Sequence, residues 1–114
     1  IFSKLGKGSI IYPFVTISNN TKIGNFFLAN LYSFVGHDCK IGKFVTLGPH
    51  AKCCGNVEIK DNVILGANST ILQGIKKKIT IGENSIIGAG SVVYDSVPPN
   101  CTLIGNPAKI VSRR

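Results

Sequence analysis

The 114-residue sequence contains no methionine and no tryptophan, and only five acidic residues stand against thirteen lysines and arginines. No apolar run approaches the roughly 18 residues of a membrane-spanning helix, so we expect no membrane partner. Lys4 and Lys7 interrupt the first apolar segment, which therefore lacks the pattern of a signal peptide. These features predict a cytoplasmic protein. Because no initiator methionine is present, we expect the sequence to be a fragment of a longer chain.

The cysteines do not have the spacing of a metal site or of a disulfide framework, and we expect reduced thiols. They are Cys39, Cys53, Cys54 and Cys101. The net charge of +8 is compatible with an anionic partner. The basic residues nevertheless look scattered, without a stripe and without interleaved aromatic residues, so nucleic acid is not expected as a partner. A small phosphorylated ligand fits the charge equally well.

A six-residue period runs through most of the sequence. An apolar residue, which we call position one, recurs at Leu5, Ile11, Ile17, Ile23, Ala29, Val35, Ile41, Leu47, Cys53, Ile59, Leu65, Ile71, Ile81, Ile87 and Val93. Glycine is the commonest residue at position two. Glycine, asparagine or aspartate predominates at position four, and a small residue at position five. Neither the period of an amphipathic helix nor that of a long strand fits this pattern.

These preferences predict an all-β prism. Glycine, asparagine and aspartate tolerate the left-handed backbone best, so position four should form a sharp corner. Position one should point inward, where each buried aliphatic side chain contributes about 1.5–3 kcal/mol. Three hexads per turn would close a triangular prism of about five coils, with rungs about 4.8 Å apart. Four additional residues after Ile71 predict a short loop insertion near residues 76–80.

The repeat resembles that of the hexapeptide-repeat acyltransferases, whose fold is a left-handed parallel β-helix. The closing segment 104–111, Ile-Gly-Asn-Pro-Ala-Lys-Ile-Val, resembles the end of many members. The resemblance implies a β-helix acyltransferase domain over residues 1–98 and a C-terminal extension over 99–114 that completes it. It also implies a homotrimer, and an N-terminal nucleotide-sugar-binding domain that lies outside this chain.

A narrower resemblance is carried by residues 36–42, Gly-His-Asp-Cys-Lys-Ile-Gly, and 51–57, Ala-Lys-Cys-Cys-Gly-Asn-Val. These segments are similar to those of bacterial acetyltransferases that modify sialic acids or UDP-linked amino sugars. The resemblance implies acetyl-CoA as donor, a small-molecule sugar as acceptor and no metal. It implies that His37 is the general base and that the Gly55 amide polarises the acetyl carbonyl. Asp38 either orients His37 or raises its basicity, or it is only the corner residue expected at position four. An imidazole suits proton removal near neutral pH. Since Gly55 follows His37 by three hexads, the prism should stack them on one edge.

Further site residues follow from the resemblance. It implies that Ala67, Ala89 and Gly90 contact the pantetheine of CoA and that Asn30 lies near the acceptor. The alternatives are that the first three are small because corners are tight and that Asn30 is a polar turn residue. Lysines 76–78 are interpreted as a solvated loop, with contact to the CoA phosphates as the alternative. Two positions depart from some relatives, which have glutamate in place of Gly36 and a second histidine in place of Thr46. His50 falls at position four of its repeat, and we interpret it as structural.

Two other functions use the same fold. A γ-class carbonic anhydrase needs three histidine ligands for zinc. Only His37 and His50 are available, and their separation is not a whole number of coils, so they should not share a corner. A non-catalytic trimeric scaffold is the second alternative. Binding of CoA separates it from an acetyltransferase.

Overall fold

The computed structural model describes residues 2–114, which form seventeen short strands. The strands are β1 (Lys4–Leu5), β2 (Ile10–Ile11), β3 (Thr16–Ile17), β4 (Lys22–Ile23), β5 (Leu28–Ala29), β6 (Phe34–Val35), β7 (Lys40–Ile41), β8 (Thr46–Leu47), β9 (Lys52–Cys53), β10 (Val57–Ile59), β11 (Ile64–Leu65), β12 (Thr70–Ile71), β13 (Ile79–Ile81), β14 (Ile86–Ile87), β15 (Val92–Val93), β16 (Cys101–Gly105) and β17 (Ala108–Arg113). Within residues 2–114, no helix is long and apolar enough to cross a membrane.

From β1 to β15, every third strand belongs to the same sheet, so the chain winds around a three-sided column. We call the three sheets face A (β1-β4-β7-β10-β13), face B (β2-β5-β8-β11-β14-β16-β17) and face C (β3-β6-β9-β12-β15). Successive rungs pair in parallel with an offset of three hexads, as in Lys4 with Lys22 and Ile10 with Leu28. The predicted all-β parallel β-helix is confirmed. The β-helix is slightly longer than the predicted five coils, since β16 adds a sixth parallel rung to face B.

The core is the ladder of position-one and position-five side chains. Position-one residues from Ile23 onward are buried, and most position-five residues are buried beside them. Phe27 replaces the expected small residue at position five and is nevertheless fully buried. Leu5 and Ile11 are exposed, although they occupy position one. They lie in the first coil, where no preceding rung among the described residues covers them.

Position four adopts the left-handed backbone conformation, as predicted from its asparagine, aspartate and glycine residues. Aromatic residues adopt the same conformation at Phe14, Phe26, Tyr32 and Phe44, with φ between 58° and 63°. Bulky side chains are uncommon there. Their rings stack on the next rung, with centroids 5.0 Å apart for Phe14 and Tyr32 and for Phe26 and Phe44. Stacking between rungs therefore offsets a corner strain that sequence preferences alone do not anticipate.

The preference for glycine at position two has a structural cause that the repeat pattern does not show. Most of them lie where the backbone of the next coil approaches closely. A Cβ at Gly36 would lie 2.6 Å from the Gly55 nitrogen, and one at Gly66 would lie 2.7 Å from the Ala89 nitrogen. Neither position has room for a side chain in this backbone.

The turns form three edges of the prism, which we call the AB, BC and CA edges after the faces that they join. The predicted insertion lies on the CA edge between β12 and β13. It lengthens the offset between the last two rungs of face A, where Val57 pairs with Ile79 rather than with a residue three hexads later. At the other end of the chain, β17 turns back antiparallel to β16 and ends the parallel stack on face B.

The expectation that the basic residues lack a stripe is wrong. Lys4 pairs in register with Lys22, and Lys22 pairs with Lys40, all on the outer surface of face A. Each of these lysines follows the previous one by three hexads, which is one full coil. Residues that are scattered along the sequence are therefore aligned by the winding of the chain.

Candidate active site

His37 and Asp38 occupy the CA edge, in the turn between β6 and β7. The Nδ1 atom of His37 lies 2.8 Å from Oδ2 of Asp38. Both side chains are about half exposed, at 45% and 50%. Asp38 is the corner residue, with φ of 56°. The left-handed corner thus places a carboxylate directly beside the imidazole of the preceding residue.

The environment of Asp38 keeps its carboxylate charged. Hydrogen bonding to His37, and secondly to Asn20, holds the pKa of Asp38 below its ordinary value. The Asn20 Nδ2 atom donates to Asp38 Oδ1 at 2.5 Å. Because an ionised carboxylate only accepts hydrogen bonds, Nδ1 of a neutral His37 must carry the proton. This tautomer leaves the lone pair on Nε2, the nitrogen that can act as a base.

Gly55 lies against the imidazole ring on the next rung of the CA edge. A Cβ at position 55 would lie 2.5 Å from Nε2 of His37, so a side chain there would displace the ring. The Asn56 amide donates to the carbonyl of His37 at 2.9 Å and fixes the two rungs together. The predicted adjacency of His37 and Gly55 is confirmed. Within residues 2–114, the Gly55 amide donates to no protein acceptor.

The other predicted site residues lie on the BC edge. The Gly90 amide donates to the carbonyl of Ala67 at 2.8 Å, which places Ala67, Ala89 and Gly90 on one corner line as expected. All three are exposed. Asn30 lies two coils earlier on the same edge, where its Oδ1 accepts from the Leu31 amide at 2.8 Å. Within a single chain, these residues therefore lie on a different edge from His37 and Gly55. Their contacts with ligands stay a prediction.

His50 differs from His37 in both position and surroundings. It is a corner residue of the BC edge, with φ of 60°, and its ring stacks on Tyr32 with centroids 5.0 Å apart. This packing supports its interpretation as a structural residue. The two histidines lie on different edges. Across residues 2–114, no three histidine, cysteine or acidic side chains are grouped to hold a metal ion.

Sequence reasoning missed Asn20, which contacts the candidate site directly. Asn20 precedes Asp38 by one full coil, so the same spacing that pairs His37 with Gly55 could have identified it. The sequence predicts a solvated loop at Lys78, but the Nζ atom of Lys78 lies 3.5 Å from the backbone oxygen of Asp38. Its nearness depends on how the insertion folds, and no repeat spacing predicts that.

The cysteines near the site point inward. Cys39 and Cys53 are buried, and their sulfur atoms lie 3.9 Å apart. Hydrogen bonding to Cys39, together with burial, raises the pKa of Cys53. All four cysteines are free thiols. Cys39 and Cys53 therefore serve as small core residues beneath the CA edge.

Comparison with known proteins agrees with the repeat. The family called bacterial transferase hexapeptide (six repeats) matches residues 38–73. Residues 38–73 therefore carry the hexapeptide repeat of that family. Over 110 residues it is 53% identical to a GDP-perosamine N-acetyltransferase of Escherichia coli O157:H7, a match that covers 96% of this chain and 50% of the relative. The chain thus spans about half the length of that relative.

Solved structures give the same result for the fold. WeeI from Acinetobacter baumannii AYE is 47% identical with a TM-score of 0.94, over 96% of this chain and 52% of that protein. A histidine-to-alanine mutant of GDP-perosamine N-acetyltransferase from Caulobacter crescentus, in complex with CoA and GDP-perosamine, is 32% identical with a TM-score of 0.90. That match covers 96% of this chain and 50% of the mutant protein.

Proposed function

We propose that this chain is the catalytic domain of an acetyltransferase that moves an acetyl group from acetyl-CoA to an amino group of a nucleotide-linked sugar. The observation that carries the proposal is the hydrogen-bonded pair of His37 and Asp38 lying over Gly55. The names of the similar proteins favour an amino-sugar acceptor over a sialic acid. The free thiols and the need for acetyl-CoA favour a cytoplasmic enzyme.

In the proposed reaction, the acceptor nitrogen attacks the thioester carbon and loses a proton to Nε2 of His37. Asp38 holds the opposite nitrogen in its protonated form and stabilises the imidazolium that results. The carbon–sulfur bond then breaks, and CoA leaves as its thiolate, which takes up a proton. The products are the N-acetyl sugar and CoA.

The Gly55 amide is proposed to donate to the acetyl oxygen as negative charge develops there. An oriented backbone N–H that has no protein acceptor suits this task, because no existing hydrogen bond has to break. Gly55 has a second proposed role in leaving space for the imidazole. Both roles require that no side chain be present at position 55.

We further propose that the enzyme is a homotrimer whose groove forms between subunits. His37 and Gly55 lie on the CA edge, whereas Asn30 and Ala67 lie on the BC edge, so a second copy is needed to bring the two sets together. The outer surface of face B offers apolar residues for such contact. They are Ile10, Leu28, Ile64 and Ile86. Thr46 interrupts this row between Leu28 and Ile64. An exposed patch that is mostly apolar is typical of an interface.

Acetyl transfer is tested by incubating the full-length protein with acetyl-CoA and a panel of acceptors, while the release of free thiol is followed. The panel contains GDP-perosamine, UDP-linked amino sugars, sialic acid and serine. We expect thiol release that depends on an amino-sugar nucleotide. Calorimetry with CoA provides the second readout. Failure to bind CoA would contradict the proposal and favour the scaffold.

A further inference from the structure

Face A carries a lysine stripe beside the candidate active site. The stripe consists of Lys4, Lys22 and Lys40, which follow one another on consecutive rungs about 4.8 Å apart. All three side chains are exposed. Like charges directly opposite each other on neighbouring strands destabilise a sheet. The alignment therefore lowers stability unless something negative lies against it.

Nearby carboxylates do not neutralise the stripe. Glu58 follows Lys40 in register, but its Oε2 atom lies 3.1 Å from Nζ of Lys60. The carboxylate of Asp38 is occupied by His37. Among residues 2–114, no ion pair includes a lysine of the stripe. Its positive charge is thus available to an external anion.

A concave surface of about 340 Å³ joins the stripe to the CA edge. It is lined by Asn20, Lys22, Asp38, Cys39, Lys40 and Lys78. Lys78 comes from the insertion, and its Nζ atom lies 3.5 Å from the backbone oxygen of Asp38. Lysines from two coils and from the loop therefore surround a depression beside the carboxylate that orients His37.

We propose that Lys22, Lys40 and Lys78 bind a phosphate group of one reactant of the proposed acetyl transfer. The phosphate belongs either to the diphosphate of the sugar nucleotide or to CoA. Ammonium groups bind phosphate as point charges. Lys22 and Lys40 lie one rung spacing apart, about 4.8 Å, which suits neighbouring phosphates of a short chain. A nucleic acid would gain its affinity from a longer array of phosphate contacts.

The place of this site in the reaction rests on the proposed function, but phosphate binding can be measured without turnover. Inorganic pyrophosphate is titrated into the full-length protein by calorimetry. The variant Lys22→Gln/Lys40→Gln removes two charges from the depression. The control Lys7→Gln/Lys43→Gln removes two exposed charges from the AB edge, outside the depression. We expect the first variant to weaken pyrophosphate binding at least about tenfold and the control to change it little.

Equal weakening in both variants, or no binding of pyrophosphate to the unmodified protein, would overturn the proposal. Titrations with CoA and with GDP then identify the source of the phosphate, since only the matching ligand should lose affinity in the first variant. If acetyl transfer occurs but both KM values are unchanged in that variant, the phosphate site is refuted while the proposed function stands. If acetyl transfer is absent, the pyrophosphate titration still shows whether the lysines bind phosphate.

Discussion

The two histidines occupy different positions of similar turns and have different surroundings. His37 precedes the left-handed corner residue Asp38, whereas His50 is itself the corner residue. His37 lies on the CA edge, where the next rung offers only the bare backbone of Gly55 and the neighbouring corner residue is a carboxylate. His50 lies on the BC edge, where the preceding rung presents the ring of Tyr32. In a coiled repeat, the position in the turn and the residues one coil away together decide whether an imidazole is held for chemistry or packed for stability.

The largest expected effect is the difference in kcat between the variants His37→Ala and His50→Ala. We expect His37→Ala to lower kcat by about 10³-fold, because the acceptor proton loses its base. His50→Ala should leave kcat almost unchanged. Steady-state rates of thiol release measure both, with CoA affinity as a control for folding. Similar losses of kcat in the two variants would contradict the distinction between a catalytic His37 and a structural His50.

Gly55→Ala sharpens the comparison by giving the CA edge a side chain. The new Cβ would occupy the place of the His37 ring, which is half exposed and can turn outward. We expect kcat to fall by about 10²-fold from misplacement of the base, with a nearly unchanged Tm.

The double variant His37→Ala/Gly55→Ala tests whether Gly55 acts through the imidazole. If it does, the double variant should be no slower than His37→Ala alone. Additive losses would instead mean that the added methyl group also disturbs the bound thioester, since Gly55→Ala keeps the backbone N–H that is proposed to donate to the acetyl oxygen.

Asp38→Asn should have a smaller effect. Asparagine tolerates the left-handed corner, as Asn20 and Asn56 do, so the backbone should be unchanged. Its amide oxygen can still accept from Nδ1 of His37, but the bond loses its charge. We expect a loss of about tenfold in kcat, since a charge-assisted bond is about twice as strong as a neutral one. An unchanged kcat would mean that Asp38 is only a corner residue.

The smallest expected effect is a change in stability when His50 on the BC edge is substituted. We expect His50→Ala to lower the free energy of unfolding by about 0.5–1.5 kcal/mol through loss of the stack on Tyr32. His50→Phe provides the matched control, because phenylalanine adopts the same corner conformation at Phe14 and Phe44. Chemical denaturation should rank His50→Phe near the unmodified protein. Equal loss in both variants would argue against stacking.

Much of the fold could be predicted because every hexad imposes the same constraints. An inward aliphatic residue and a left-handed corner recur at each step, and their period sets the number of rungs. The pairing of His37 with Gly55 followed from a coil of three hexads. The aromatic corners could not be predicted in this way, since stacking between rungs overrides the local preference at Phe14 and Tyr32.

The candidate site was predicted less completely. Asn20 and the lysine stripe obey the one-coil spacing, so the repeat contains the signal for both, whereas the approach of Lys78 to Asp38 depends on the insertion. The resemblance implies a homotrimer with the groove between neighbouring subunits. The winding of the chain puts Ala67 and His37 on different edges, which agrees with such a groove, and the groove itself stays a prediction.

A crystal structure of the full-length protein with bound acetyl-CoA tests the central claim most directly. We expect the thioester on the CA edge, with its carbonyl oxygen about 3 Å from the Gly55 nitrogen and with Nε2 of His37 facing the acceptor side. The pantetheine should run along Ala67 and Ala89 of a neighbouring subunit. A thioester bound beside His50, or remote from both histidines, would contradict the account.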